Sequence, residues 1–139
     1  MAPTLSGLLE TCLYVRDLAR SRDCFTKLLG LEPMFQEDRM AVFRLPDGSV
    51  LILFVEGSSR DGADTPRGRI PGHDGTGPTH FALAIPDNAV DAWRDHCRFE
   101  GIAIESEVTW SGSRGTSLYF RDLDGHLGEL ASRDLWART

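Results

Sequence analysis

A chain of 139 residues with 41% hydrophobic and 26% charged residues has the size and make-up of one compact globular domain, which excludes a multidomain machine, a disordered chain and a fibrous repeat. Lys and Arg number 15 against 21 Asp and Glu, and the resulting formal charge of −6 is scattered rather than blocked, so a general nucleic-acid backbone binder is excluded. The longest apolar run, Val50 to Val55, is far short of the roughly 20 residues that span a bilayer.

Met1 to Gly7 shows no basic start leading into an apolar stretch, so a signal peptide is not visible and a cytoplasmic address is expected. Cys12, Cys24 and Cys97 form neither a C-x-x-C pair nor an even disulfide framework and read as reduced small hydrophobes.

Leu8 to Val15 alternates as a strand. Asp17 suits the N-cap of a helix whose Leu18, Phe25, Leu28 and Leu29 share a face, and Gly30 suits its C-terminal stop. Three strands follow over Pro33 to Glu37, Met40 to Leu45 and Val50 to Glu56, the last two joined by the turn Pro46-Asp47-Gly48-Ser49. Glu56 to Thr79 is dense in Gly and Pro and reads as structureless, either a linker or a loop serving a binding site.

The same order then returns. Thr79 to Ile85 is a strand, Asp87 caps a helix with Val90, Trp93 and Cys97 on its core face, and Gly101 ends it. Ala103 to Val108, Ser117 to Arg121 and Leu127 to Ala131 supply three more strands, with Leu123-Asp124-Gly125 echoing the first turn. The chain therefore reads as a duplicated βαβββ unit within one domain: module one over 7–56, a loop over 57–78 and module two over 79–135. The expected class is α+β.

The duplication aligns Glu10 with His80, each seven residues before its helix cap, and Glu129 with Ile52, each five residues after the turn aspartate. Strand alternation puts Glu10 with Cys12 and Tyr14, His80 with Ala82 and Ala84, and Glu129 with Leu127 and Ala131. The greasier opposite parities, Leu13 and Val15 or Phe81, Leu83 and Ile85, belong beneath the helices. If the two sheets curl toward each other, Glu10, His80 and Glu129 line a cavity. Two carboxylates and an imidazole there are costly unless paired or bound to a cation, and a metal resolves the cost.

Several stretches resemble the vicinal oxygen chelate superfamily, which includes glyoxalase I, extradiol dioxygenases, fosfomycin-resistance enzymes and bleomycin-resistance proteins. They are Leu13-Tyr14-Val15-Arg16-Asp17, Leu28-Leu29-Gly30-Leu31, Thr79-His80-Phe81-Ala82 and the run from Leu118 through Gly125-His126-Leu127-Gly128-Glu129 to Leu130, the last being the most specific. The resemblance implies paired βαβββ modules forming a cup-like, partly open mixed β-sheet barrel with flanking helices, a divalent metal and frequent dimerisation. It places His80 and Glu129 at the family's second-module histidine and final glutamate ligands. Glu10 stands where most metal-binding relatives carry His or Gln, and Ile52 where glyoxalase I relatives carry a further ligand.

The expectation is thus a homodimeric, metal-dependent enzyme acting on a small oxygen-rich substrate by lyase, isomerase or transferase chemistry. Glu10, His80 and Glu129 would hold Mn, Mg, Fe, Zn or Ni, and Glu10 and Glu129 are also catalytic candidates. Tyr14, Ile52, Phe54, Trp110, Arg114 and Tyr119 are the expected pocket residues. Arg114, in the loop Trp110 to Gly115, could meet an anionic substrate or simply be solvated. His73 could reach the cavity as a ligand or base, or remain in solvent. His126, opposite in parity to Glu129, is expected to be exposed. The alternative function is a metal-free protein that sequesters a small antibiotic-like molecule, for which Glu10 and Glu129 are ordinary polar residues.

Overall fold

The computed structural model of the chain describes residues 1–137. Strand β1 (Glu10–Val15), helix α1 (Leu18–Leu29), and strands β2 (Phe35–Glu37), β3 (Met40–Arg44) and β4 (Val50–Val55) form the first set of elements. A short hairpin of β5 (Ala63–Thr65) and β6 (Gly68–Ile70) precedes the second set: β7 (His80–Ile85), helix α2 (Val90–Phe99), β8 (Ile104–Thr109), β9 (Thr116–Arg121) and β10 (Leu127–Ser132). The fold is α+β with two βαβββ modules, and the chain divides into two compact units, Met1–Thr76 and Gly77–Thr139.

In unit one the sheet order is β1-β4-β3-β2, and in unit two it is β7-β10-β9-β8. The first pair in each is parallel and the rest antiparallel, so each sheet is mixed, open and four-stranded, not closed into a barrel. Glu10 pairs with Val50 as His80 pairs with Leu127, and Ile52 lies opposite Val42 as Glu129 lies opposite Tyr119. The registers of the two modules therefore superpose residue by residue, making Glu10 and His80, Ile52 and Glu129, and Val42 and Tyr119 structural counterparts.

Local chemistry sets the ends of α1. The Asp17 carboxylate accepts the Arg20 N–H at 3.1 Å, and Gly30, at φ +66°, closes the helix by donating its N–H to the Thr26 carbonyl at 2.9 Å. Phe25 and Leu28 are buried on the side of the sheet that carries Leu13, Val15, Ala41, Phe43, Leu51 and Leu53, and the Phe25 and Phe43 rings lie 6.5 Å apart. Each large side chain removed from water there contributes about 1.5–3 kcal/mol before the entropy of ordering it. In unit two the corresponding core is Phe81, Ile85, Cys97, Leu118, Phe120 and Leu130.

Four expectations need correction. Asp87 does not cap α2. It begins a 3-10 turn (Asp87–Ala89), and its carboxylate instead accepts the N–H of Asp134 at 3.3 Å, a partner far away in sequence. Trp93 is only half-buried, standing edge-on to His96 at 5.4 Å, while Cys97 is the fully buried residue of that helix.

The Gly- and Pro-rich stretch is not structureless. Its hairpin pairs Ala63 with Ile70, and its limbs close tightly enough that a Cβ on Gly72 would collide with the Arg60 carbonyl. The Ser59 carbonyl accepts the His73 N–H at 3.0 Å, Asp74 accepts the Gly57 N–H at 2.9 Å, and Arg60 pairs with Asp74 at 3.0 Å. These bonds return the end of the segment to its beginning.

His126 is buried, at 2% exposure, rather than exposed. The Asp122 carboxylate accepts the N–H groups of Asp124 and His126 at 3.0 and 2.8 Å, and this tight turn aims the imidazole at Thr79, whose N–H donates to Nδ1 at 3.0 Å. Strand parity did not apply to it, because β10 begins only at Leu127.

Candidate functional site

On the face of the unit-two sheet away from its aromatic core, β7, β9 and β10 assemble a polar cluster. His80 opens β7, and its neighbours Ala82 and Ala84 on that face are small. Glu129 is 5% exposed and Ser117 fully buried. The Ser117 hydroxyl donates to Glu129 Oε2 at 2.6 Å, and the Trp110 indole N–H donates to Ser117 Oγ at 2.8 Å. Tyr119, directly across from Glu129, has its phenol pushed up by burial and then by the Glu129 carboxylate, so it remains a hydrogen-bond donor at neutral pH. Its ring lies 6.5 Å from that of His80.

The geometry of His80 determines what this cluster can hold. Its Nδ1 lies 2.8 Å from the Leu127 carbonyl oxygen, which can only accept, so Nδ1 carries the proton. In the neutral ring Nε2 is then a lone pair, and it faces Glu129 Oε1 at 3.2 Å. Two acceptors at that separation repel unless a proton or a cation lies with them. A metal-ligating histidine commonly donates its other N–H to a carbonyl in this way. The His80 and Glu129 side chains thus fit a divalent cation, supplying one imidazole nitrogen and one carboxylate oxygen. Among the described residues, no group of three or more His, Cys, Asp or Glu is placed to hold a metal ion.

The counterpart face of unit one is apolar. Val42, Ile52 and Phe54 are buried there, with Cys12, Tyr14, Met40 and Val50 packed against them. Tyr14 stacks with Phe54 at 6.0 Å, and the returned loop brings His73 edge-on to Phe54 at 4.7 Å. The Tyr14 hydroxyl is 2.6 Å from His73 Nδ1. Burial, followed by Cys12 and Asp74, pushes the Tyr14 phenol up, so it keeps its proton at neutral pH. Gly75 makes this approach possible, since a Cβ there would run into the Tyr14 ring.

Unit two therefore brings together His80, Glu129, Tyr119 and Trp110, and unit one brings together Tyr14, Ile52 and Phe54. Glu10 is exposed at the start of β1. Arg114 is half-buried and folds onto its own loop, donating to the Ser111 carbonyl and hydroxyl at 3.0 and 3.2 Å. Sequence reasoning did not single out Ser117 as a polar partner of Glu129. Strand register supplies the missing signal: Ala131 pairs with Ser117 and Glu129 with Tyr119, putting both on the Glu129 face.

The family model described as Glyoxalase/Bleomycin resistance protein/Dioxygenase superfamily matches residues 7–130. A crystal structure of lactoylglutathione lyase from Agrobacterium tumefaciens is 28% identical with a TM-score of 0.86, over 98% of this chain and 100% of that one. A glyoxalase/dioxygenase from Nostoc punctiforme is 26% identical with a TM-score of 0.67, over 95% and 94% of the two chains. The fosfomycin resistance protein FosX from Listeria monocytogenes, complexed with Mn(II) and sulfate, is 22% identical with a TM-score of 0.66, over 93% and 91%, a likeness of fold.

Proposed function

The chain belongs to the glyoxalase/bleomycin resistance protein/dioxygenase superfamily, and from that membership we propose that it is a divalent-metal-dependent enzyme acting on a small molecule with neighbouring oxygens. His80 and Glu129 hold the cation, and Glu10 is the further carboxylate that the family resemblance offers as a ligand. The observation that carries this reading is His80 Nε2 facing Glu129 Oε1 at 3.2 Å, with Nδ1 held at the Leu127 carbonyl at 2.8 Å. A divalent cation bound there would polarise substrate oxygens and stabilise the charge that develops on them. The FosX structure holding Mn(II) supports a hard divalent ion. No helix among the described residues is long and apolar enough to cross a membrane, and the proposed site of action is the cytoplasm.

The chain's own residues define the rest of the chemistry. Tyr119, protonated and beside Glu129, is placed to donate a hydrogen bond to a substrate oxygen. Likeness to a lactoylglutathione lyase favours lyase or isomerase chemistry over group transfer. Ile52 offers no ligating atom, so the site differs from one with a fourth protein ligand at that position. Exposed Leu5, Leu8, Leu9, Met34 and Phe35 favour assembly as a homodimer. The apolar unit-one face of Val42, Ile52, Phe54 and Tyr14 favours a second reading, a metal-free protein that sequesters a small molecule.

Metal content separates the two readings. Untagged protein purified without chelators, with Glu10→Ala and Glu129→Gln alongside, is analysed by elemental mass spectrometry, and circular dichroism verifies folding. About one Mn, Fe, Zn or Ni per chain in the wild type, lost in folded variants, is the expected result. Wild type that holds no metal and takes up none of these ions or Mg on incubation supports the sequestering protein instead.

A further inference from the structure

We infer that Ser117 and Trp110 are positioning residues for Glu129, fixing which carboxylate oxygen is left for a cation beside His80. The inference rests on the metal-dependent reading above and extends it to residues outside the ligand set. A serine hydroxyl has one proton, and at Ser117 it goes to Glu129 Oε2 at 2.6 Å. The Trp110 indole can only donate, and at 2.8 Å it donates to the same oxygen of Ser117. Direction is therefore determined along the chain of bonds: indole N–H to hydroxyl oxygen, hydroxyl proton to Oε2. Oε1 is left facing His80 Nε2. Charge-assisted bonds of this length in a buried setting hold a carboxylate in one rotamer, so little ordering remains when an ion arrives.

The duplicated fold argues that these polar groups are not required by the architecture. At counterpart positions of unit one, Met40 stands for Ser117, Val42 for Tyr119 and Ile52 for Glu129, and that sheet is assembled with the same register. A serine and a glutamate buried in place of a methionine and an isoleucine cost desolvation that an apolar pair avoids. Trp110 also joins the cluster to the β8–β9 loop, where its backbone N–H closes the turn onto the Gly115 carbonyl at 2.8 Å. Gly115 cannot carry a side chain, because a Cβ would collide with Ser132, whose hydroxyl accepts the Thr116 N–H at 2.8 Å. The loop that carries the indole is thereby anchored at the start of β9.

The test is Mn(II) binding by the full chain, followed by electron paramagnetic resonance, for wild type, Ser117→Ala and Trp110→Phe. Loss of the Ser117 hydroxyl should weaken Mn(II) binding about 10- to 100-fold, and loss of the indole N–H alone roughly threefold or more in the same direction. Both variants should keep the wild-type circular dichroism spectrum. If Ser117→Ala fails to fold, Trp110→Phe decides, since it removes the indole N–H while keeping an aromatic ring at a half-buried position. Wild type that binds Mn(II) with both folded variants within about twofold of it overturns the positioning role and leaves the metal reading intact. Wild type that binds neither Mn(II) nor Fe, Zn or Ni overturns the metal reading, and the inference falls with it.

Discussion

Gly128 sits between Leu127 and Glu129 on β10 and pairs with Phe120 across the strands. Phe120 is 3% exposed, and its ring lies directly over Gly128, so a Cβ at position 128 would be placed among the ring atoms, well inside van der Waals contact. The ring cannot simply swing away, because it meets Phe81 edge-on at 6.0 Å and Phe81 is 5% exposed. Gly128→Ala is therefore an overpacking substitution costing about 1–3 kcal/mol. Reduced freedom of the unfolded chain returns roughly 0.4–1 kcal/mol. The net destabilisation of about 1–2 kcal/mol corresponds to a fall in Tm of about 3–8 °C for a chain of this length. Thermal and urea unfolding followed by circular dichroism would measure it, with the urea slope unchanged. Combining the change with Phe120→Leu should cost less than the two separate changes together, by about 1 kcal/mol, because the smaller side chain vacates the space. A Tm equal to or above wild type, or strict additivity of the pair, would refute the steric argument.

Three further outcomes follow from the same contacts. Tyr14→Phe removes the 2.6 Å bond to His73 and should cost about 1 kcal/mol locally, read as roughly fivefold faster amide exchange at His73 and Gly75; unchanged exchange would mean the loop is held without it. Asp74 has its carboxyl held below the usual range by the N–H groups of Gly57 and Gly75 and by Arg60, so its contribution is present above the unfolded value and lost as pH falls through the lower folded value. The Gly57 amide resonance should report that titration, and a midpoint at or above the ordinary 3.8 would contradict it. Burial raises the Asp122 carboxyl, and its Oδ2 is buried without a hydrogen-bond partner. Stability tied to its protonated form is full below the unfolded value and lost as pH rises through the raised folded value. Asp122→Asn keeps an acceptor for the Asp124 and His126 N–H groups, so its Tm advantage over wild type should be greatest near neutrality and vanish in acid; an advantage independent of pH would show that charge is not the cause.

The sequence by itself determined the repeated βαβββ order, the parity of the strands and the alignment of Glu10 with His80 and Ile52 with Glu129. These depend on period-two alternation, on caps such as Asp17 and Gly30, and on turns closed within a few residues, all of which act between neighbours in the chain. Tertiary structure decided what distant residues meet. Asp87 leaves its capping role for the Asp134 N–H, His126 turns inward to Thr79, and the Gly-rich segment folds back through Asp74 to bring His73 to Tyr14. The bonds from Trp110 through Ser117 to Glu129 belong to the same class, since they depend on the β9–β10 register and on a loop anchored by Ser132. A buried polar group must find a partner wherever the fold supplies one, and sequence separation does not limit which partner that is. Hydrophobic alternation therefore reads out the faces of the sheets, while the hydrogen bonds that orient His80 and Glu129 exist only once the strands have paired.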